Sequence, residues 1–178
     1  MKFIKEKYIK LTYIEKQKYI KLIKEKFEKE LSKALSLLRV SAPIVVTKES
    51  GLQDDLSGVE RKVSFDILKD GTELEVVQSL AKWKRMALKK YGFCDHSGLY
   101  TDMTAIRRDD KMDEVHSVYV DQWDWEKVIL REDRTLKYLK GTVRKIVRAI
   151  CKTHLFLKKM VFGGRIFVTK CFLLQVKN

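Results

Sequence analysis

The chain has 178 residues, of which 45% are hydrophobic and 35% charged, and it carries a formal net charge of +14. That length points to one domain with a sizeable core. The apolar run from Leu155 is cut by Lys158, Lys159, Arg165 and Lys170, which excludes a membrane span there.

The charge is uneven along the chain. Residues 1–35 hold 11 Lys and 5 Glu, a net of +6, and residues 36–136 hold 16 basic and 19 acidic residues, a net of −3. Residues 137–178 hold 11 basic residues and no acidic one. The basicity therefore sits at the two ends, without an interleaved aromatic platform, and nucleic acid is not the expected partner. Cys94, Cys151 and Cys171 form no CxxC and leave an odd count, which fits free thiols in a reducing cytoplasm. His96, His116 and His154 show no metal-ligand spacing, so no metal site is expected. The N-terminus alternates Lys with apolar residues and does not read as a signal peptide.

Residues 12–35 read as an amphipathic helix, with Tyr13, Ile14, Tyr19, Ile23, Phe27 and Leu31 at helical spacing. Such a stripe serves a core or a subunit interface. Leu37 to Val46 is strand-like, but Pro43, the chain's one proline, places it at an edge or bends it there. Glu49 to Gly58 is a loop by its Gly, Asp and Ser content. Val63 to Ile67 and Leu74 to Val77, separated by Asp70-Gly71, predict a β-hairpin with that dipeptide at its turn.

Ser79 opens a helix to about Tyr91, with Leu80, Trp83, Ala87 and Tyr91 on its buried side. Lys84 lies off that stripe and by itself reads as a surface lysine. Gly98 to Asp110 is a strand ending in a charged loop. Leu99, Thr101, Met103, Ala105 and Arg107 share one face, apolar until it ends in a guanidinium. The chain then returns antiparallel through His116 to Glu126. In Val118–Glu126 the alternation puts Val118, Val120, Gln122, Asp124 and Glu126 on one face and Tyr119, Asp121, Trp123 and Trp125 on the other. Valines argue against a solvated face, and Gln and Asp argue against a plain core. Either water meets that face or a polar ligand does, since unpaired buried polar groups are costly. A second long helix is predicted from about Asp133 to Ile150, with Leu136, Leu139, Val143, Ile146, Val147 and Ile150 as its apolar side.

Several blocks together resemble ammonia-dependent asparagine synthetases (aspartate–ammonia ligases), relatives of the class II aminoacyl-tRNA synthetase core. They are Val40-Ser41-Ala42-Pro43-Ile44, Gly51–Gly58, Ser79-Leu80-Ala81-Lys82-Trp83-Lys84-Arg85, Gly98-Leu99-Tyr100-Thr101 with Ala105-Ile106-Arg107, and His116–Glu126. The resemblance implies an α+β fold, an antiparallel sheet flanked by helices, in incomplete form. It also implies ATP-dependent amidation of aspartate by ammonia through a β-aspartyl-adenylate, giving asparagine, AMP and pyrophosphate. By resemblance Arg107 is catalytic and bridges the α-phosphate and the reacting carboxylate. Asp54 and Asp124, with Gln122 beside them, would hold the α-ammonium, and Ser79 and Lys84 the α-carboxylate. Val115, His116 and Ser117 would border the nucleotide, Mg2+ would accompany ATP, and Pro43 would lie by a homodimer interface.

Two departures accompany the match. Gln78 stands where the family has His, and the resemblance fades after Ile150, before the family's later glycine-rich, ATP-binding segment. The expected division is residues 1–150 as the N-terminal part of a catalytic domain and 151–178 as a divergent basic tail, truncated or frame-shifted. The competing expectation is a non-catalytic fragment or a basic binding module that reuses the fold.

Overall fold

The computed structural model describes residues 11–113 and 116–161. Two compact units divide the chain: residues 35–138 form one, and the residues before 35 and after 138 form the other.

Helix α1 (Tyr13–Leu35) begins with a capping box. Thr12 N–H donates to Glu15 Oε2 at 2.8 Å, and Glu15 N–H donates back to Thr12 Oγ at 3.3 Å. That backbone bond, with the Thr12 hydroxyl, holds the Glu15 carboxyl below its usual range. Helix α3 (Leu136–Val161) runs well past the predicted end at Ile150, because nothing in Cys151–Val161 interrupts a helix. The two helices meet antiparallel: Glu30 accepts from Lys26 at 2.7 Å and from Lys152 at 2.9 Å, and Lys26 lies 5.4 Å from the Phe156 ring centre. Leu31, Ala149 and Thr153 are buried. The predicted apolar side of α3 is only partly used: Ile146 and Val147 are half-buried, whereas Leu136, Leu139, Val143 and Ile150 are exposed. Periodicity finds a stripe but not which part of it has a partner. Cys151 is disulfide-bonded, against the expectation of free thiols, while Cys94 is free and exposed.

The other unit holds two three-stranded sheets. The predicted strand 37–46 breaks at Pro43 into β1 (Leu37–Arg39) and β2 (Val45–Thr47), which enter different sheets. β2 pairs antiparallel with β4 (Glu73–Val76), and β4 with β3 (Ser64–Asp66). The turn between β3 and β4 is longer than a two-residue hairpin turn. Ile67 N–H donates to Thr72 O at 3.0 Å and Gly71 N–H to Ile67 O at 2.8 Å, with Gly71 at φ 71°. That is a four-residue loop closed by a left-handed glycine.

In the first sheet, of order β1-β5-β6, β5 (Gly98–Ile106) and β6 (Tyr119–Lys127) form an antiparallel ladder of nine residue pairs. β1 joins β5 in parallel, so the fold is α+β with a mixed sheet, where an antiparallel one was expected. Gly98 fits where β1, β5 and β6 converge: a Cβ there would lie 2.3 Å from Glu126 O and 2.8 Å from Lys127 Cα. Helix α2 (Ala81–Lys90) packs across this sheet. Val77, Leu80, Trp83, Ala87 and Leu88 meet Leu99, Met103 and Ala105 in one core. The expected stripe holds except at Tyr91, which is exposed; Leu88 is buried in its place.

Candidate active site on the β5–β6 face

Leu99, Thr101, Met103 and Ala105 of β5 are buried, and on the other face Asp102 and Thr104 are exposed while Gly98 and Tyr100 are buried as well. The register sets Glu126 opposite Leu99, Asp124 opposite Thr101, Gln122 opposite Met103 and Val120 opposite Ala105. The acid and amide groups of β6 therefore share the apolar face of β5, the face that α2 covers. Gln122 Nε2 contacts Met103 Sδ at 3.0 Å across the ladder.

Lys84 is where α2 supplies charge to that face. The residue is 5% exposed, so the reading of it as a surface lysine is overturned. Its ammonium bonds Asp124 Oδ1, donates to Trp125 O at 3.1 Å and lies 3.7 Å from Glu126 Oε2. A buried ammonium needs such partners, because its desolvation is costly. A four-carbon stem lets lysine start from the helix flank and still reach the strand.

A second pair lies at the start of α2. Ser79 Oγ donates to Asp54 Oδ2 at 3.2 Å and accepts from Ala81 N–H at 3.2 Å. Asp54 also accepts Leu56 N–H at 3.2 Å. Beneath them lie the buried amides of Gln53 and Gln78. Gln78 N–H donates to Gln53 Oε1 at 3.0 Å, and Gln53 Nε2 donates to Val76 O at 2.8 Å. Gln78 Nε2 donates to Arg61 O at 3.1 Å, while Gln78 Oε1 is buried without a hydrogen-bond partner among the described residues. Beside Asp54, Asp55 pairs with Lys62 at 2.8 Å, which lowers its carboxyl pKa and raises that of the lysine.

Each group expected at an α-ammonium is thus bonded to one expected at an α-carboxylate: Asp124 with Lys84, and Asp54 with Ser79. The groups expected at the nucleotide lie elsewhere. Arg107 N–H donates to Val118 O at 2.7 Å just beyond β5, at the loop end of the ladder. Asp124 lies opposite Thr101, six residues from Arg107. At about 3.4 Å per residue the two Cα positions are about 20 Å apart along the strands. Parity sets the face, and register, which the sequence pattern leaves free, sets the position along it. His116 Nδ1 lies 2.8 Å from both Asp113 oxygens, and Ser117 Oγ accepts Tyr119 N–H at 3.3 Å, both near the Arg107 end. Val115 lies outside the described residues.

Sequence reasoning did not assign Glu126, although its face was read correctly, nor Gln53, which lies inside a matched block. The Arg61–Asp109 contact gave no signal, since the two residues are far apart in sequence and each resembles an ordinary surface charge.

A family model described as aspartate-ammonia ligase matches residues 14–170, past Ile150 where the resemblance was expected to fade. The chain belongs to the aspartate-ammonia ligase family. It is 54% identical over 155 residues to aspartate–ammonia ligases of Bacillus cytotoxicus and Bacillus cereus, a match covering 86% of this chain and 47% of each relative. The chain spans about half the length of these curated relatives. Among solved structures it is similar to the pyrrolysyl-tRNA synthetase of Desulfitobacterium hafniense, with TM-score 0.51, 16% identity, 77% of this chain and 51% of that one. It is also similar to the asparaginyl-tRNA synthetase of Entamoeba histolytica, with TM-score 0.52, 9% identity, 88% of this chain and 32% of that one. These likenesses show a class II synthetase-like fold and nothing more.

Proposed function

We propose that this chain carries the aspartate-binding wall of a ligase that makes asparagine from aspartate, ATP and ammonia, releasing AMP and pyrophosphate. The observation that carries the reading is the buried ammonium of Lys84 set between Asp124 and Glu126 on an apolar sheet face. An amino-acid zwitterion has the charges to enter such a set. Its ammonium would take Asp124 and Asp54, its carboxylate would take Lys84 and Ser79, and each internal bond would be exchanged for one to ligand. Gln122 supplies a neutral amide beside them.

A free β-carboxylate is a poor electrophile because oxide leaves badly. Adenylation gives it a good leaving group, and ammonia then attacks the acyl-adenylate. The chain's work is alignment and stabilisation of charge at the α-phosphate, the role given to Arg107. In this reading Arg107 would reach back along the strand toward the phosphate of the aspartyl-adenylate. His116 and Ser117, with Val115, border the nucleotide in this reading. Among the described residues no group of three His, Cys, Asp or Glu side chains could hold a metal ion. Mg2+ enters the proposal as the counter-ion of ATP.

The finer proposals are a homodimer, supported by the exposed Tyr13, Ile14, Ile20 and Ile23 of α1, and work in the cytoplasm. No helix among the described residues is long and apolar enough to cross a membrane. The deciding experiment is calorimetric titration with L-aspartate, followed by aspartate-dependent exchange of labelled pyrophosphate into ATP. Binding of aspartate that is lost in Lys84→Met is the expected result. No aspartate binding by the unsubstituted chain would reject the proposal in favour of a non-catalytic module.

A further inference from the structure

We propose that Arg61 is a positioning residue: by clamping Asp109 it fixes the loop that carries Arg107, and so sets where the phosphate-binding guanidinium stands. This rests on the reading of Arg107 given above. Asp109 is two residues beyond Arg107, and Arg61 grips it with main chain and side chain together. Arg61 N–H donates to Asp109 Oδ2 at 2.7 Å, and Arg61 Nε lies 3.0 Å from Oδ1 and 3.2 Å from Oδ2. A fork holding both oxygens restrains orientation as well as distance. The residue between follows suit, for Arg108 Nη1 donates to Lys62 O at 3.3 Å. Asp110 N–H donates to Arg107 O at 3.4 Å, which turns the loop back onto Arg107 itself.

A clamp positions only if its own base is fixed, and this one is. Arg61 O accepts from the buried Gln78 amide, whose backbone N–H is held by the buried Gln53. Lys62 is tied to Asp55 at 2.8 Å and lies 3.6 Å from Glu75. Gln53 and Gln78 each stand directly before a residue assigned to aspartate, Asp54 and Ser79. One network thus runs from the aspartate end of the site to the loop at the phosphate end. Among the charged groups facing Asp109, Arg61 dominates and Arg108 adds a smaller attraction, and together they hold the carboxyl at about 2. The clamp therefore stays ionised throughout the range in which an enzyme would be assayed.

The test compares the unsubstituted chain with Arg61→Met, Arg61→Lys, Asp109→Asn and the Arg61→Met/Asp109→Asn double variant. Calorimetry measures the affinities for ATP and for L-aspartate separately, and hydrogen exchange follows the amides of residues 108–113. Arg61→Met is expected to weaken ATP by about tenfold, the scale of one charged hydrogen bond, and to leave aspartate unchanged. Arg61→Lys should restore part of the ATP affinity, and the double variant should be no worse than the poorer single one. Exchange at 108–113 should quicken in both single neutral variants. Unchanged ATP affinity in Arg61→Met, or equal losses for both ligands, would overturn the positioning role. If the unsubstituted chain binds aspartate but not ATP, the assignment of Arg107 fails and the inference with it. Unchanged exchange in Arg61→Met would instead refute the clamp alone.

Discussion

Lys84 and Asp124 are the two side chains on which most depends. Replacing Lys84 with Met leaves Asp124 and Glu126 without their shared cation, on a face where both are partly shielded from water. Breaking a fully buried pair costs about 3–5 kcal/mol. With the carboxylates a fifth to a third exposed, a loss of about 1–3 kcal/mol is expected, read as a lower urea midpoint. The double variant Lys84→Met/Asp124→Leu should recover part of that stability while binding no aspartate, which separates fold from function. The sequence told which face of β6 Asp124 occupies, because period-two alternation is a local property. It could not tell that Lys84 is buried, since burial depends on a strand forty residues away.

At the scale of elements, the start of β5 and the α1–α3 contact make separate predictions. Gly98→Ala would drive a methyl into backbone atoms of β6, 2.3 Å from Glu126 O and 2.8 Å from Lys127 Cα, neighbours that cannot rotate away. A loss of about 3 kcal/mol is expected, measurable in the same urea titration, and an unchanged midpoint would mean that the strands separate easily there. Between α1 and α3, bonds from Lys26 first and Lys152 second hold the Glu30 carboxyl at about 2. A folded pKa below the unfolded value of about 4.3 means that the contribution is complete above that value and is lost as pH falls through about 2. Glu30→Gln should therefore flatten the acid limb of helix stability between those limits, followed by circular dichroism. The helices themselves were legible from the spacing of their apolar residues. The split of residues 37–47 between two sheets and the parallel pairing of β1 were not, because strand partners are chosen by tertiary packing.

On the scale of the whole chain, β6 is, among the described residues, an edge strand nine residues long. A long open edge invites pairing with another strand. The net charge of +14 should give only weak nucleic-acid binding that salt abolishes, as a gel-shift titration would show.

The β5–β6 ladder also has the character of a ruler. Its register fixes how far Asp124, opposite Thr101, stands along the strands from Arg107. Removing two paired residues from each strand between Thr101 and Arg107 would leave every remaining side chain on its face but shorten the scale by about 7 Å. In the proposed reading such a chain should still bind aspartate, while Arg107 would stand about 7 Å too close along the strand to meet the phosphate.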